Sequence, residues 1–229
     1  MIEIPLFTVS GIDGSGKSSA VDGVSKLLVD DKQSVGVLSS SGTISYVYSG
    51  REKKPIYLQI TQKITALYKA GQESGNHMLV LASLFEYLLL RERFIRPCME
   101  KLSLDCIVGD RDPFVDSIVL LESYLRINFP PRVMAKTLES IIGNHPARIL
   151  FLLNISPEVA FARRKSETGN LDIHERPDRL KRMSERYIPT ITAMERCGKV
   201  SEHIEINTEE SNRSHVVGEI YSGIISTLK

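Results

Sequence analysis

The chain has 229 residues, with 29 Lys and Arg against 28 Asp and Glu and a net charge of +1. Its 42% hydrophobic and 25% charged residues suit one domain with a sizeable core and exclude disordered, collagen-like and disulfide-scaffold classes. The near-neutral balance leaves no overall footprint for nucleic acid or for an anionic membrane. The cysteines Cys98, Cys106 and Cys197 are odd in number and form no C-x-x-C pair, so neither a zinc site nor a disulfide framework is expected, and a cytoplasmic setting is. Residues Met1-Ile2-Glu3-Ile4-Pro5 lack the basic start and cleavage site of a signal peptide. The most apolar stretch, Met78–Leu90, is interrupted by Ser83 and Glu86 and falls short of the ~20 residues of a membrane span, which predicts a core helix instead.

In chain order, Leu6–Ser10 is a short apolar run ending at a glycine, followed by the helix-like Ser18–Val29. Ser34–Leu38 is a second strand-like run. Ile56, Ile60, Ile64, Leu67 and Tyr68 mark a helical stripe. A long apolar helix is predicted from about Asn76 to Leu102, with Arg91, Arg93 and Arg96 on its later turns. Cys106–Val108, Ile149–Leu153 and Ile204–Ile206 are further strand-like runs, and Val216, Val217, Ile220, Ile224 and Leu228 make a final amphipathic stripe. Strands alternating with helices predict a single α/β domain over residues 1–229. Its sheet is expected to have five parallel strands, with about eight helices covering both faces.

Gly11-Ile12-Asp13-Gly14-Ser15-Gly16-Lys17-Ser18 matches the phosphate-binding pattern G-x-x-x-x-G-K-[ST] in full, between an apolar run and a helix. Gly11, Gly14 and Gly16 let the backbone curl so that successive N–H groups, including those of Ser15, Lys17, Ser18 and Ser19, point inward at an anion. Lys17 supplies a mobile ammonium and Ser18 a hydroxyl for Mg²⁺, so the pattern implies ATP with Mg²⁺. Asp110-Arg111 closes the third predicted parallel strand, where a carboxylate can hold Mg²⁺ and an arginine can clamp phosphate. No N-K-x-D run for guanine is present. The window Arg163–Arg186 holds eight Lys and Arg against five Asp and Glu. It reads as a basic, mobile lid over about residues 163–178, able to close over a γ-phosphoryl group. A small-molecule kinase fits these features better than a GTPase switch or a motor ATPase.

Together these motifs resemble the thymidylate kinase family. The likeness is carried by G-I-D-G-S-G-K-S, by Ile95-Arg96-Pro97 and by Asp110-Arg111. It continues in Phe151-Leu152-Leu153-Asn154-Ile155-Ser156-Pro157-Glu158-Val159-Ala160 and in Glu185-Arg186-Tyr187. The resemblance implies a P-loop kinase fold and transfer of the ATP γ-phosphoryl to a nucleoside monophosphate, dTMP by default. It implies that Lys17 and the loop hold ATP phosphates, Ser18 and Asp110 serve Mg²⁺, Asp13 faces the acceptor sugar, and Arg111 grips the acceptor phosphate. Arg163 or Arg164 would be the lid arginine, and the chain would be a homodimer.

The departures gather in the acceptor pocket. Counting back from Ile95-Arg96-Pro97, the family's base-reading Phe-x-x-x-Arg falls on Ser83 and Tyr87, and the residues that screen the sugar and face the base become Leu121 and Glu122. The Arg-Glu-Pro-Gly-Gly-Thr loop survives only as Gly42-Thr43. Arg91 lies one turn beyond Tyr87, facing either the same cleft or the surface. The alternatives are a kinase for a nucleoside or another small acceptor, or an ATP-binding protein with a decayed acceptor site. His77, His145, His174 and His203 are scattered without metal-ligand spacing.

Overall fold

The computed structural model describes residues 4–39, 45–49, 52–56, 59–76, 78–79, 82–83, 91–126, 128, 130–143, 147–168 and 176–228. The strands are β1 (Leu6–Ser10), β2 (Val35–Leu38), β3 (Ser45–Ser49), β4 (Glu52–Ile56), β5 (Cys106–Asp110), β6 (Arg148–Asn154) and β7 (Val200–Asn207). The helices are α1 (Lys17–Asp30), α2 (Gln59–Glu73), α3 (Arg96–Met99), α4 (Val115–Leu125), α5 (Pro131–Ile142), α6 (Pro157–Thr168), α7 (Pro177–Arg196) and α8 (Arg213–Leu228). A π-helical turn, Arg91–Ile95, runs directly into α3.

The sheet order is β4-β3-β2-β5-β1-β6-β7. All five predicted strands are present and mutually parallel, but the sheet is seven-stranded and mixed, which corrects the all-parallel expectation. The additions are β3 and β4, a hairpin whose first strand runs antiparallel to β2. Its residues, SYVYS and EKKPI, form no continuous apolar run. β4 is an edge strand carrying Lys53, Lys54 and Pro55, the residue types that blunt an edge against further pairing. Ile56 closes β4 rather than opening the predicted helical stripe. Gly42-Thr43 lies outside the described residues.

Every residue of β1 and β5 is buried, because helices cover both faces and leave no solvent side. Phe7, Val9, Cys106, Val108, Phe151 and Leu153 face α1 and α8, where Val24, Leu28, Ile220 and Ile224 complete one core. Leu150 and Leu152 face the other way, toward Phe114, Ile118 and Val119 of the α4 region and Leu180, Met183 and Ile191 of α7. Leu6 and Ile107 continue that second face to Ile95 and Met99. The C-terminal stripe packs on the sheet as its spacing predicts. Among the described residues no helix is long and apolar enough to cross a membrane, and all three cysteines are free.

Candidate functional site

The central strands β1 and β5 pair with Val9 opposite Asp110, so their carboxyl ends open at one level. There the chain leaves β1 into the loop Gly11–Gly16, and α1 begins at Lys17 with Gly16 as its left-handed cap (φ +91°). A Cβ at Gly16 would meet nothing within 4 Å, since that side of the residue faces the open cradle. A Cβ at Gly14 (φ +90°) would stand 2.5 Å from the carbonyl oxygen of Ala160, so the loop can pack against α6 only with glycine there. The Ser15 hydroxyl is buried in the loop with no hydrogen-bond partner among the described residues.

Lys17 is buried, and its Nζ donates to the carbonyl of Ile12 at 2.8 Å and pairs with Asp13 Oδ1 at 3.5 Å. Burial, aided by the charge of Arg111, lowers the Lys17 pKa from its ordinary value; Asp13, Asp110 and Asp116 act against that. Across the strand pair, Ser18 Oγ donates to Asp110 Oδ2 at 2.7 Å, joining residues 92 positions apart. The hydroxyl and carboxylate expected to serve Mg²⁺ are thus adjacent. Among the described residues no group of three or more His, Cys, Asp or Glu is assembled for a metal. Mg²⁺ typically takes one or two carboxylates and fills its shell with phosphate oxygens and water, so the Ser18–Asp110 pair fits it. The exposed Ser19 carbonyl accepts from Arg213 at 3.2 Å.

Arg111 follows β5 in the left-handed region, at φ +74°. Its guanidinium pairs with Asp13 of the loop and with Asp116 of α4, the latter at 3.1 Å. Asp116 is completely buried and receives Ser10 Oγ at 2.6 Å, the amide of Asp112 at 2.7 Å and Tyr187 OH at 2.8 Å. The Tyr187 hydroxyl also lies 2.8 Å from the carbonyl of Gly11, so α7 is tied to the loop's first glycine. Burial raises the Asp116 pKa, although Arg111 and these donors oppose it. The folded chain therefore holds a proton above the ordinary carboxylate range that the unfolded chain has lost. The contribution of this group is complete below about pH 4 and is lost as pH rises through the folded value. Asp116→Asn should flatten the urea midpoint against pH just above that range; an unaltered slope would contradict this account.

Two expected contributors stand elsewhere. Arg163 donates to the carbonyls of Thr208 at 2.7 Å and Glu209 at 3.2 Å, bracing the turn between β7 and α8. Arg164 pairs with Glu167 one turn along α6 at 2.9 Å. Residues 169–175, the middle of the predicted lid, lie outside the described residues, as does Tyr87. The Ser83 hydroxyl is buried and donates to the carbonyl of Leu79, four residues earlier, at 2.8 Å. Leu121 packs against the core under α4. Glu122 is buried and pairs with Arg186 Nε at 2.9 Å, linking α4 to α7.

The cluster also contains residues whose role the sequence reading did not identify. Tyr187 closes the stretch Glu185-Arg186-Tyr187, but nothing in linear spacing joins it to Asp116. Arg91, left open between cleft and surface, is fully buried at the β5 end. The guanidinium of Arg179 lies 3.9 Å over the Tyr124 ring, and the charges of Asp13 and Arg111 both act on that phenol, whose pKa burial pushes up to about 12. No protein-family model matches the chain, and no curated protein matches it. The likeness to thymidylate kinases therefore stands on the motifs quoted above.

Proposed function

We propose that the chain is an Mg²⁺- and ATP-dependent phosphotransferase of the thymidylate kinase type, built on a P-loop kinase fold. The observation that carries this reading is the Ser18–Asp110 bond at the carboxyl ends of adjacent parallel strands, directly beside the loop of Gly11–Lys17. Ligands of open α/β sheets bind at such ends. The parallel core β2-β5-β1-β6-β7 also supports the fold.

Loop amides and the N-terminus of α1 hold the ATP phosphates. Lys17 leaves the Ile12 carbonyl and turns to the β/γ-phosphates, an exchange favoured because its present partners neutralise it only in part. Ser18 and Asp110 would hold Mg²⁺, which would supply charge neutralisation at the phosphates. Arg111, shared between Asp13 and Asp116, lies where an acceptor phosphate can take one of its N–H pairs, and Asp13 can then accept from an acceptor hydroxyl. Catalysis on this frame is positioning plus electrostatic stabilisation.

The acceptor is a nucleoside monophosphate in this reading. The Glu122–Arg186 pair and the Ser83 bond favour a pocket rebuilt relative to one that reads thymine, because buried polar groups left unpaired cost ~1–3 kcal/mol each. The homodimer that the resemblance implies remains part of this reading. The test is ADP release with Mg·ATP against all common nucleoside monophosphates. We expect turnover of ~1–100 s⁻¹ with at least one acceptor, abolished by a chelator and restored by Mg²⁺. A folded protein that releases no ADP with any of them would overturn the proposal.

A further inference from the structure

Arg91 and Arg148 are the largest fully buried side chains among the described residues, and Arg91 sits in the π-helical turn. A guanidinium carries five N–H groups and no acceptor. Here all five are used. Nε and Nη2 donate to Glu92 Oε1 at 3.2 and 3.1 Å, Nη1 donates to the carbonyls of Ser39 at 3.2 Å and Asp110 at 2.7 Å, and Nη2 donates to the carbonyl of Arg111 at 2.8 Å.

The last two acceptors are informative. Successive carbonyls of an extended strand point to opposite sides, so one side chain cannot ordinarily reach two in a row. The left-handed φ of Arg111 turns the chain and brings the carbonyls of Asp110 and Arg111 to the same guanidinium. A non-glycine residue in that region is strained and persists only where its surroundings over-determine it. Arg91 supplies that determination, and it also ties the end of β5 to Ser39 at the end of β2. The strained residue is the one whose side chain meets Asp13, and the residue before it is the one that receives Ser18.

We propose that Arg91 is a positioning residue, whose forked contacts to the carbonyls of Ser39, Asp110 and Arg111 hold the turn after β5 in its left-handed form and so aim Arg111 at Asp13. The held conformation does not depend on any activity; its consequence for turnover rests on the phosphotransferase reading.

The decisive experiment is a pair of double-mutant cycles by urea unfolding. Arg91→Met is combined with Arg111→Gly and, separately, with Arg111→Ala. Both second changes remove the Arg111 side chain, but only glycine adopts φ +74° without strain. The midpoint loss caused by Arg91→Met is expected to be at most about half as large in the Arg111→Gly background as in the Arg111→Ala background. Equal losses in the two backgrounds would overturn the proposal. Should Arg91→Met fail to fold, Arg91→Lys takes its place, because an ammonium has three N–H groups and no planar fork.

The second arm is kinetic and uses Arg91→Lys with Mg·ATP and the acceptor turned over by the wild type. We expect kcat/KM for the acceptor to fall about tenfold while KM for ATP changes less than about threefold, since the hydrogen bonds of Arg91 go to Glu92, Ser39, Asp110 and Arg111 and none goes directly to the loop of Gly11–Lys17. An equal fall for both substrates would overturn the positioning role. A wild type that transfers no phosphoryl group would refute the phosphotransferase reading alone, and the urea cycles would still decide the role of Arg91.

Discussion

Replacement of Lys17 by alanine is expected to lower turnover by at least about 10²–10³-fold, the loss typical when one preorganised donor to developing charge is removed. The chain should stay folded. Burial already disfavours the charged ammonium, as its lowered pKa records, and its nearest contacts are to Asp13 and the Ile12 carbonyl, on its own loop. A lysine whose folded pKa lies below its unfolded one subtracts stability while it is charged, and this cost fades as pH rises through the folded value. The variant should therefore unfold at a urea midpoint equal to or above that of the wild type at pH 7. Near-normal ADP release by Lys17→Ala would remove the central cation from the mechanism. Lost activity accompanied by unfolding would instead mark Lys17 as structural.

Arg148→Met is expected to produce the largest loss of stability. Arg148 begins β6 and is 1% exposed. It reaches Asp112 at 3.2 Å and lies 5.3 Å from the centre of the Phe114 ring. Removing one member of a buried ion pair typically costs about 3–5 kcal/mol, because the remaining charge loses its partner. Here the low end applies. Asp112 keeps the amides of Phe114 at 2.9 Å and Val115 at 2.8 Å, and the change also removes Nε and Nη2 groups that have no hydrogen-bond partner among the described residues. At a slope near 3 kcal/mol/M, about 3 kcal/mol moves the urea midpoint by roughly 1 M. A midpoint within about 0.2 M of the wild type would mean that Asp112 is satisfied without Arg148. Methionine is the suitable probe because it preserves most of the packing over Phe114.

The two variants separate the start of α1 from the start of β6. Lys17 stands at the open end of the strand pair, where charge is held ready for a ligand. Arg148 runs beneath α4, where Asp112 also receives the first amides of that helix. An activity loss without a stability loss at the first, and the reverse at the second, would agree with one ionic network serving both purposes through Asp116 and Arg111. Tyr187 joins that network from α7 and so ties this helix to Gly11.

Much of this site was legible in the amino-acid order because its parts are local. The loop from Gly11 to Ser18 is one continuous turn, and its glycines, lysine and serine must follow one another for the backbone to curl. The parallel strands β1, β2, β5 and β6 announced themselves as short apolar runs because both of their faces are buried. Asp110-Arg111 could be singled out because it ends such a run. The hairpin β3–β4 escaped because SYVYS and EKKPI break their apolar residues with serine, lysine and proline and so carry no such signal. The π-helical turn escaped because a single extra residue in a helical stripe leaves the apolar spacing nearly intact.

Contacts across the sheet were beyond the reach of the sequence for a different reason. Asp116 with Tyr187 spans 71 positions and Arg111 with Asp13 spans 98, and nothing in residue spacing selects such partners. The polar groups of Arg163 and Glu122 take partners decided by which elements pack together, so their assignment to lid or acceptor pocket could not be judged from motif position. The left-handed turn at Arg111 belongs with these. No residue type there demands it, and it exists because Arg91, brought up by a separate helix, gathers two successive carbonyls on one side. Sequence alone determined the glycine-rich turn of Gly11–Ser18 and the parallel core, both consequences of local backbone geometry and burial. Tertiary structure alone decided which charges meet, because burying an ion requires a partner and the chain supplies it from wherever packing allows.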